Sequence, residues 1–533
     1  MRPKLMRLNS LHQLNAASLL VASVYRFGEK IALRSANEVR TYAQLGDRTS
    51  RMAQGLLNAG IHPGDRIVLM APNGIQFIEA WWGIIRAGAV VMPINSLATQ
   101  SELLNILETS EASGIIISSK NQISLCTEIR ARFPKVIIIA NESDAKLEIL
   151  ALEDVVQESS PLEIAINRAL DDPCAIYFTA GSTGHPKGII RSNQSVVWGL
   201  GMLARALSSD DILLARAPMA HTGGSLTGPF AILVAGGSLI IPSNTSVECV
   251  IDEVQKHRVT HLYVHPTIFA KKMLQYLDGN NYDLSSIKKL QWTAGHLPEF
   301  VRNEIFKRFP KIPFEVTYGM TEASNIASFE YLPNDPSRSI KASCVGYPLP
   351  GAGIRIVNDH GIEVARGVTG EVEIFTPTAF MSYLGDVGSS QQSITKDGWF
   401  HTGDTGHLDE HGALHLDGRT REIINTGGMS VQPAEVENAI AEHEQVIDVI
   451  VFGMPHPEWD EAITAVLTLK EPNFPNIKID LMAFCRQKLA AYKLPKNIYV
   501  IDELPRNASG KIDKKRVIEV ILELKELVNQ EEQ

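Results

Sequence analysis

Cysteine is scarce and scattered. Five occur in 533 residues (Cys126, Cys174, Cys249, Cys344 and Cys485), and no two form a C-x-x-C pair. Neither a disulfide framework nor a zinc site is indicated, and a reducing cytoplasm is the expected setting. Positive charge is also in short supply. Against 60 Asp and Glu stand 50 Lys and Arg, a formal net charge of -10, with a pI near 5.9. That balance argues against a general nucleic-acid binder, which carries a basic stripe or domain. Any polyanionic ligand must meet local positive charge. Long apolar runs are missing as well. The stretches 80–94 and 229–242 are broken by Arg86 or by Gly and Pro, and neither reaches the roughly 18–20 residues of a membrane span. The basic start (Arg2, Lys4, Arg7) leads into 14–24, which Asn15 and Ser18 interrupt. It reads as a helix and not as a signal peptide. No internal repeat or low-complexity tract stands out beyond the polar tail 529–533.

What is present is a globular composition, 44% hydrophobic and 21% charged, in a chain too long for one compact core. Short β-branched runs alternate with turns and amphipathic stretches. Residues 66–70 predict a strand, 74–87 a helix and 89–93 a strand; 115–117 and 136–140 predict strands around a helix over 124–133. Buried strands alternating with helices predict a parallel, doubly wound α/β sheet, whose ligands sit beyond the carboxyl ends of the strands. From 351 to about 417 short strands separated by Gly, Asp and Asn, such as 370–375 and 413–417, predict a β-rich subdomain. Beyond it, helices are expected at 433–442, 481–489 and 514–528, with strands at 446–452, 462–470 and 497–501. The fold class expected is therefore α/β: a large N-terminal domain over 1–417, a hinge at 418–421, and a small α+β C-terminal domain over 422–533.

A predicted strand at 176–178 runs into Thr179-Ala180-Gly181-Ser182-Thr183-Gly184-His185-Pro186-Lys187-Gly188. Glycines let backbone N–H groups approach an anion, Ser182 and Thr183 add hydroxyls, and Lys187 adds a cation. Phosphate binding follows, although such a run alone is equally a flexible surface turn. The spacing is not that of a Walker A loop, because Pro186 precedes the lysine and Gly188 follows it.

Further motifs follow in order: Tyr318-Gly319-Met320-Thr321-Glu322, His401-Thr402-Gly403-Asp404, Gly418-Arg419 ahead of Ile423-Ile424-Asn425-Thr426-Gly427-Gly428, and Pro505-Arg506-Asn507-Ala508-Ser509-Gly510-Lys511. With these the chain resembles the adenylate-forming superfamily of acyl-CoA synthetases, nonribosomal peptide adenylation domains and firefly luciferase. The resemblance spans about 11–515 and is strongest to an acyl- or aryl-CoA synthetase. It implies ATP, Mg2+ and coenzyme A as reactants and cofactor, and attack of a carboxylate on the α-phosphorus of ATP. Such chemistry needs donors, a cation and a metal to offset repulsion between anions.

The resemblance implies a role for each residue. The 179–188 loop holds the β- and γ-phosphates, Thr321 meets the α-phosphate, and Glu322 holds Mg2+. Tyr318 and Gly319 flank the adenine, with Gly295 and His296 on its other side; Asp404 accepts from the ribose hydroxyls, and Arg419 reaches the ribose or phosphates. Lys511 supplies charge to the adenylation transition state. The small domain then turns about Arg421, so that Gly427 and Gly428 line a tunnel for the thiol. Arg421 departs from the commoner Asp or Lys at the pivot, Ala180 and Ser182 replace Ser and Thr, and Phe375-Thr376 replaces Arg-Gly.

The segment Ala217-Pro218-Met219-Ala220-His221-Thr222-Gly223-Gly224 matches the Pro-Leu-Phe-His stretch of acyl-CoA synthetases and lacks the Asp that binds an amino acid's amino group. His221 is expected at the acid's carboxylate end. Trp198, Met202, Thr222, Gly223, Gly224, Ser225, Leu226, Ala294, Gly319, Met320, Ser324 and Asn325 are candidate walls. A medium or long fatty acid, or an aryl acid, fits better than acetate. No residue among these walls points to a second charged group on the acid. Two alternatives stay open: a ligase that loads an acyl carrier protein, and a non-catalytic nucleotide-binding homologue.

Overall fold

The structure, a computed structural model, describes residues 15–118, 122–163, 165–179, 187–293, 297–419, 422–426, 429–456, 459–471, 474–507 and 511–531. Its strands form sheets of thirteen, eight and five. The eight-stranded sheet contains the parallel strands Arg66–Met70, Val90–Ile94, Gly114–Ile117 and Ile137–Ala140. Nearly all their side chains are buried on both faces, which is why Ile, Val, Leu and Met dominate these runs. Helices Tyr42–Asn58 and Gln100–Ser110 each open on a capping box, Thr41 with Gln44 and Thr99 with Glu102. These boxes satisfy donors that the first helical turn leaves free.

Helix Ile75–Arg86 lies in the core shared by the two large sheets, a core that includes Leu69 and Val91 of one and Leu213 and Leu239 of the other. Its Trp81 and Trp82 are fully buried, their rings 5.0 Å apart, and Trp81 meets Phe230 edge-on at 4.9 Å. Edge-to-face aromatic pairs of this kind contribute about 0.5–1.5 kcal/mol beyond their burial.

In the thirteen-stranded sheet the strands Ile212–Leu214, His261–Tyr263, Lys289–Trp292 and Phe314–Met320 are successive parallel neighbours. The chain then reverses. Ser324–Tyr331, Cys344–Pro348, Leu414–Arg419, Phe400–Leu408, Gly370–Phe375 and Gly353–Val357 continue the same sheet in antiparallel fashion. The β-rich stretch is thus an extension of a large sheet. Gly418 and Arg419 lie within a strand of it, whereas Thr420 and Arg421 fall outside the described residues.

The five-stranded sheet pairs Val446–His456 with Asp460–Leu469 and adds Asn497–Val500 in parallel. Helices Pro433–Ala441, Ile477–Arg486 and Lys514–Glu531 accompany it. Among the described residues, hydrogen bonds join it to the rest, and Phe300 packs against its core. Lys271 Nζ donates to the carbonyls of Val446 and Ile447, both at 3.0 Å, and Gln432 Nε2 donates to Thr405 Oγ1 at 3.2 Å. No helix among the described residues is long and apolar enough to cross a membrane.

Candidate active site

The strands Pro173–Thr179 and Lys187–Ser192 are antiparallel neighbours, with Thr179 opposite Lys187. The two ends of the glycine-rich loop are therefore held together at the edge of a sheet. Ala180, Gly181, Ser182, Thr183 and Gly184 lie outside the described residues, as do Ala294, Gly295, His296, Arg421, Gly427 and Gly428. A Cβ on Gly188 would stand 2.9 Å from Leu384 Cβ, so its glycine serves close packing. Lys187 projects its ammonium 3.9 Å from the Tyr383 ring centroid and 3.5 Å from Asp386 Oδ2. Sequence reasoning named neither Tyr383 nor Asp386. Tyr383 also donates from its hydroxyl to Glu322 Oε1 at 3.2 Å, tying the loop lysine to the expected metal carboxylate.

Tyr318, Gly319 and Met320 lie in strand Phe314–Met320, which turns back into Ser324–Tyr331. A Cβ on Gly319 would fall 2.2 Å from the Ser324 carbonyl oxygen, so the turn needs glycine there. The turn carrying Thr321 and Glu322 is pinned from beneath by Arg191. This fully buried guanidinium donates to Thr321 O at 2.6 Å, Thr378 O at 2.7 Å, Ser324 Oγ at 2.9 Å and Ser195 Oγ at 3.2 Å. Nothing in the sequence distinguishes Arg191 from a surface arginine.

Asp404 is buried. Tyr318 Oη donates to its Oδ2 at 2.5 Å, and Arg419 Nε lies 3.0 Å from its Oδ1. The pairing follows from register, because Asp404 and Arg419 sit opposite each other on neighbouring strands. Burial, then the Asp404 charge, push the Tyr318 phenol well above its ordinary value, so it remains a donor.

Lys511 is held in its turn by reciprocal bonds: its N–H donates to Asn507 Oδ1 at 3.2 Å, and Asn507 N–H donates to Lys511 O at 2.8 Å. The residue is exposed to solvent, and neighbouring protein removes part of the water around its ammonium. Loss of water and the Arg419 charge lower its pKa, while Asp404, Glu322 and Glu422 act in the opposite direction. It therefore shares one electrostatic environment with Glu322, Asp404 and Arg419. His221 belongs to it too. Burial first, and the charge of Lys511 second, lower the His221 pKa, and its Nε2 is buried without a partner among the described residues.

The candidate acid walls divide. Thr222 and Asn325 are buried, and Trp198 is 47% exposed on helix Asn193–Ala204. Of the two glycines after Thr222 only Gly223 makes space. A Cβ on Gly224 would stand 2.0 Å from the Pro218 carbonyl oxygen. Sequence reasoning also passed over Arg216 and His265, at the carboxyl ends of neighbouring strands. The one available signal was a cation set in the apolar run 212–217.

With this geometry in place, comparison with known proteins is decisive. The model of the AMP-binding enzyme family matches residues 20–384, and that of the AMP-binding enzyme C-terminal domain matches 435–511. The chain belongs to the AMP-binding enzyme family. It is 30% identical to the 3-[(3aS,4S,7aS)-7a-methyl-1,5-dioxo-octahydro-1H-inden-4-yl]propanoyl:CoA ligase of Rhodococcus jostii, over 93% of this chain and 97% of that one. It is also 30% identical to the feruloyl-CoA synthase of an Amycolatopsis species, over 91% and 95%. Among solved structures, ATP-bound MatB from Rhodopseudomonas palustris superposes with a TM-score of 0.85 at 26% identity, covering 95% of this chain and 99% of that one. This member of the AMP-binding family is an ATP-dependent, AMP-forming acyl-CoA synthetase, and ATP and CoA are its co-substrates.

Proposed function

We propose that the cleft between the two large sheets and the five-stranded sheet adenylates an aryl, polycyclic or longer fatty acid and then hands the acyl group to CoA. The observation that supports this is the assembly, from residues far apart in sequence, of Tyr318 and Arg419 on Asp404 and of Tyr383 on Glu322, with Lys511 within electrostatic reach of Asp404, Glu322 and His221. In the first half-reaction a carboxylate oxygen bonds to the α-phosphorus while the bond to the bridging oxygen of pyrophosphate breaks. Lys187 and the 179–188 loop take the outer phosphates, and Thr321 and Lys511 take the charge gathering at the α-phosphate. Asp404 accepts from the ribose, Arg419 steadies it, and Tyr318 lies against the adenine. His221, neutral at physiological pH, donates or accepts at the acid's carboxylate without adding repulsion or charge.

Glu322 suits Mg2+, because that ion binds through one or two carboxylates together with substrate phosphates. Among the described residues there is no cluster of three His, Cys, Asp or Glu that would form an all-protein cage. When bound, the ion would neutralise phosphate charge.

In the second half-reaction the thiol attacks the acyl carbonyl and AMP leaves. We place this after a rotation of the small domain, 422–533, against the large one, 1–417, about a hinge at 418–421 centred on Arg421. That rotation withdraws Lys511 and presents Gly427 and Gly428. For the acid, the glycine-made space at Gly223 and the partly exposed Trp198 favour a bulky group over acetate. The relatives named for feruloyl and bicyclic propanoyl acids agree with that choice.

The test separates the halves. Pyrophosphate release is followed with ATP, Mg2+ and a carboxylic acid panel, and thioester formation with CoA added. Lys511→Ala should slow adenylation by about 10²–10³-fold and spare thioester formation from supplied acyl-AMP. Equal loss of both halves would remove Lys511 from its assigned role, and no turnover of any acid by folded protein would end the reading. If CoA leaves acyl-AMP intact while an acyl carrier protein consumes it, the acceptor is the carrier.

A further inference from the structure

One cation near the cleft has no counter-charge. Arg216 follows strand Ile212–Leu214, with its Cζ 3.9 Å from the ring centroid of Phe269. Its Nε is buried without a hydrogen-bond partner, and among the described residues no carboxylate pairs with it. Other cations withdrawn from water do find acceptors among the described residues: Arg191 has four, Arg302 has Glu299 and the Ile340 carbonyl, and Arg86, whose Nε is also unpartnered, has the carbonyls of Gly46 and Leu162. Burial pushes the Arg216 pKa down to about 10, so it is still charged at neutral pH. A charge removed from water and left unpaired is costly, and proteins keep one where a ligand will meet it.

Its surroundings indicate which ligand. Strands Ile212–Leu214, His261–Tyr263, Lys289–Trp292 and Phe314–Met320 run parallel side by side. Arg216, His265 and the Tyr318–Glu322 turn therefore follow one another along a single carboxyl edge, where sheets of this kind bind ligands. His265 Nδ1 is likewise buried and unpartnered. Burial, then the charges of Arg216 and Lys511, drive its pKa to about 3, so it is neutral and within electrostatic reach of both cations. The order along the edge is the Tyr318–Glu322 turn, then His265, then Arg216. An acid with its reacting carboxyl at the Tyr318–Glu322 turn extends along this edge past His265 towards Arg216. Phe269 covers one face of the guanidinium, and its planar fork offers paired donors that match a carboxylate. A ketone or hydroxyl would leave the positive charge uncompensated.

We propose that Arg216 is the specificity-determining residue for the acid, receiving a second carboxylate that the substrate carries at the end remote from the group adenylated. This rests on the acid:CoA ligase reading above and narrows it to dicarboxylic acids.

The full chain is tested with matched pairs of equal skeleton: straight-chain dicarboxylates of four to ten carbons against the corresponding monocarboxylates, and benzene dicarboxylates against benzoate and toluates. Pyrophosphate release gives kcat/KM for each. The wild type should favour the best dicarboxylate over its monoacid by about 10–100-fold, the worth of one charge-assisted pair. Arg216→Met, and Arg216→Gln as a second variant, should collapse that ratio, while Arg216→Lys should keep part of it. A wild type that prefers monoacids, or a ratio unmoved by either variant, overturns the assignment. If no acid is turned over, the ligase reading falls separately. Thermal shift by the same dicarboxylates with ATP then decides the site: stabilisation of the wild type above Arg216→Met upholds it, and equal stabilisation overturns it.

Discussion

Replacing Arg191 by methionine tests whether the nucleotide turn is built on a buried cation. The substitution keeps length and removes the charge and all donors. Two backbone carbonyls, Thr321 O and Thr378 O, lose donors at 2.6 and 2.7 Å. Each buried carbonyl left unsatisfied costs about 1–3 kcal/mol, so about 2–6 kcal/mol in all. Against this, the guanidinium no longer has to be held away from water. Burial brings its pKa to about 10 from 12.5, a relief on the order of 3 kcal/mol. The two effects nearly cancel, and unfolding in urea should register a change below roughly 3 kcal/mol. Catalysis has no such compensation. Arg191 fixes the carbonyl of Thr321, next to Glu322, and displacement of reacting groups by about 1 Å costs on the order of 10²-fold in rate. The expected outcome is therefore a folded protein with kcat for pyrophosphate release down about a hundredfold. Undiminished kcat in a folded Arg191→Met protein would refute the role of Arg191 as the support of this turn.

Other outcomes follow from the same geometry. Tyr318→Phe removes a charge-assisted donor to Asp404, worth about 1.5–3 kcal/mol; the KM for ATP should rise and that for the acid stay put, and a shift in the acid's KM alone would contradict the ribose assignment. Gly224→Ala places a Cβ 2.0 Å from the Pro218 oxygen, which also accepts the His221 N–H at 3.1 Å; a loss of about 1–3 kcal/mol in stability, with a raised KM for the acid, is expected in denaturant titration and kinetics. In its proposed role Lys511 works protonated, and its pKa lies below the ordinary lysine value. Adenylation kcat/KM, which reports the free enzyme, should thus be full at neutral pH and fall on the alkaline side before an unperturbed lysine would ionise. Lys511→Arg should move that limb to higher pH, and an unmoved limb would assign it to another group.

What the sequence made legible was whatever depends on local pattern. Residues 66–70 and 370–375 form the strands expected of them, and helices such as Pro433–Ala441 begin where the chain predicted. Motif glycines marked turns that need close approach, as at Gly319. The β-rich stretch was recognisable as β, but its attachment to the parallel sheet through Cys344–Pro348 was not, since pairing partners lie far apart in sequence. The same reason hid Arg191, Tyr383 and Asp386: each acts on a residue brought to it by topology. Gly224 shows the converse, a glycine named as a candidate wall of the acid site whose missing side chain instead lets its backbone approach the Pro218 carbonyl.

In the proposed alternation Lys511 serves one half-reaction and leaves before the next, and its electrostatic environment bears on how it could. Desolvation and Arg419 disfavour the charged ammonium there, while Asp404, Glu322 and Glu422 favour it. The disfavouring set prevails, so the protein alone does not anchor the ammonium there. A bound triphosphate adds several negative charges in a site of reduced dielectric, where each is worth more than in water, and tips the balance towards an engaged lysine. Release of pyrophosphate removes most of that charge and returns the lysine to an environment that disfavours its ammonium. In the proposed alternation the product of the first step thus withdraws the attraction that held the small domain in place. A carboxylate pair strong enough to anchor Lys511 on its own would improve the first step and obstruct the second.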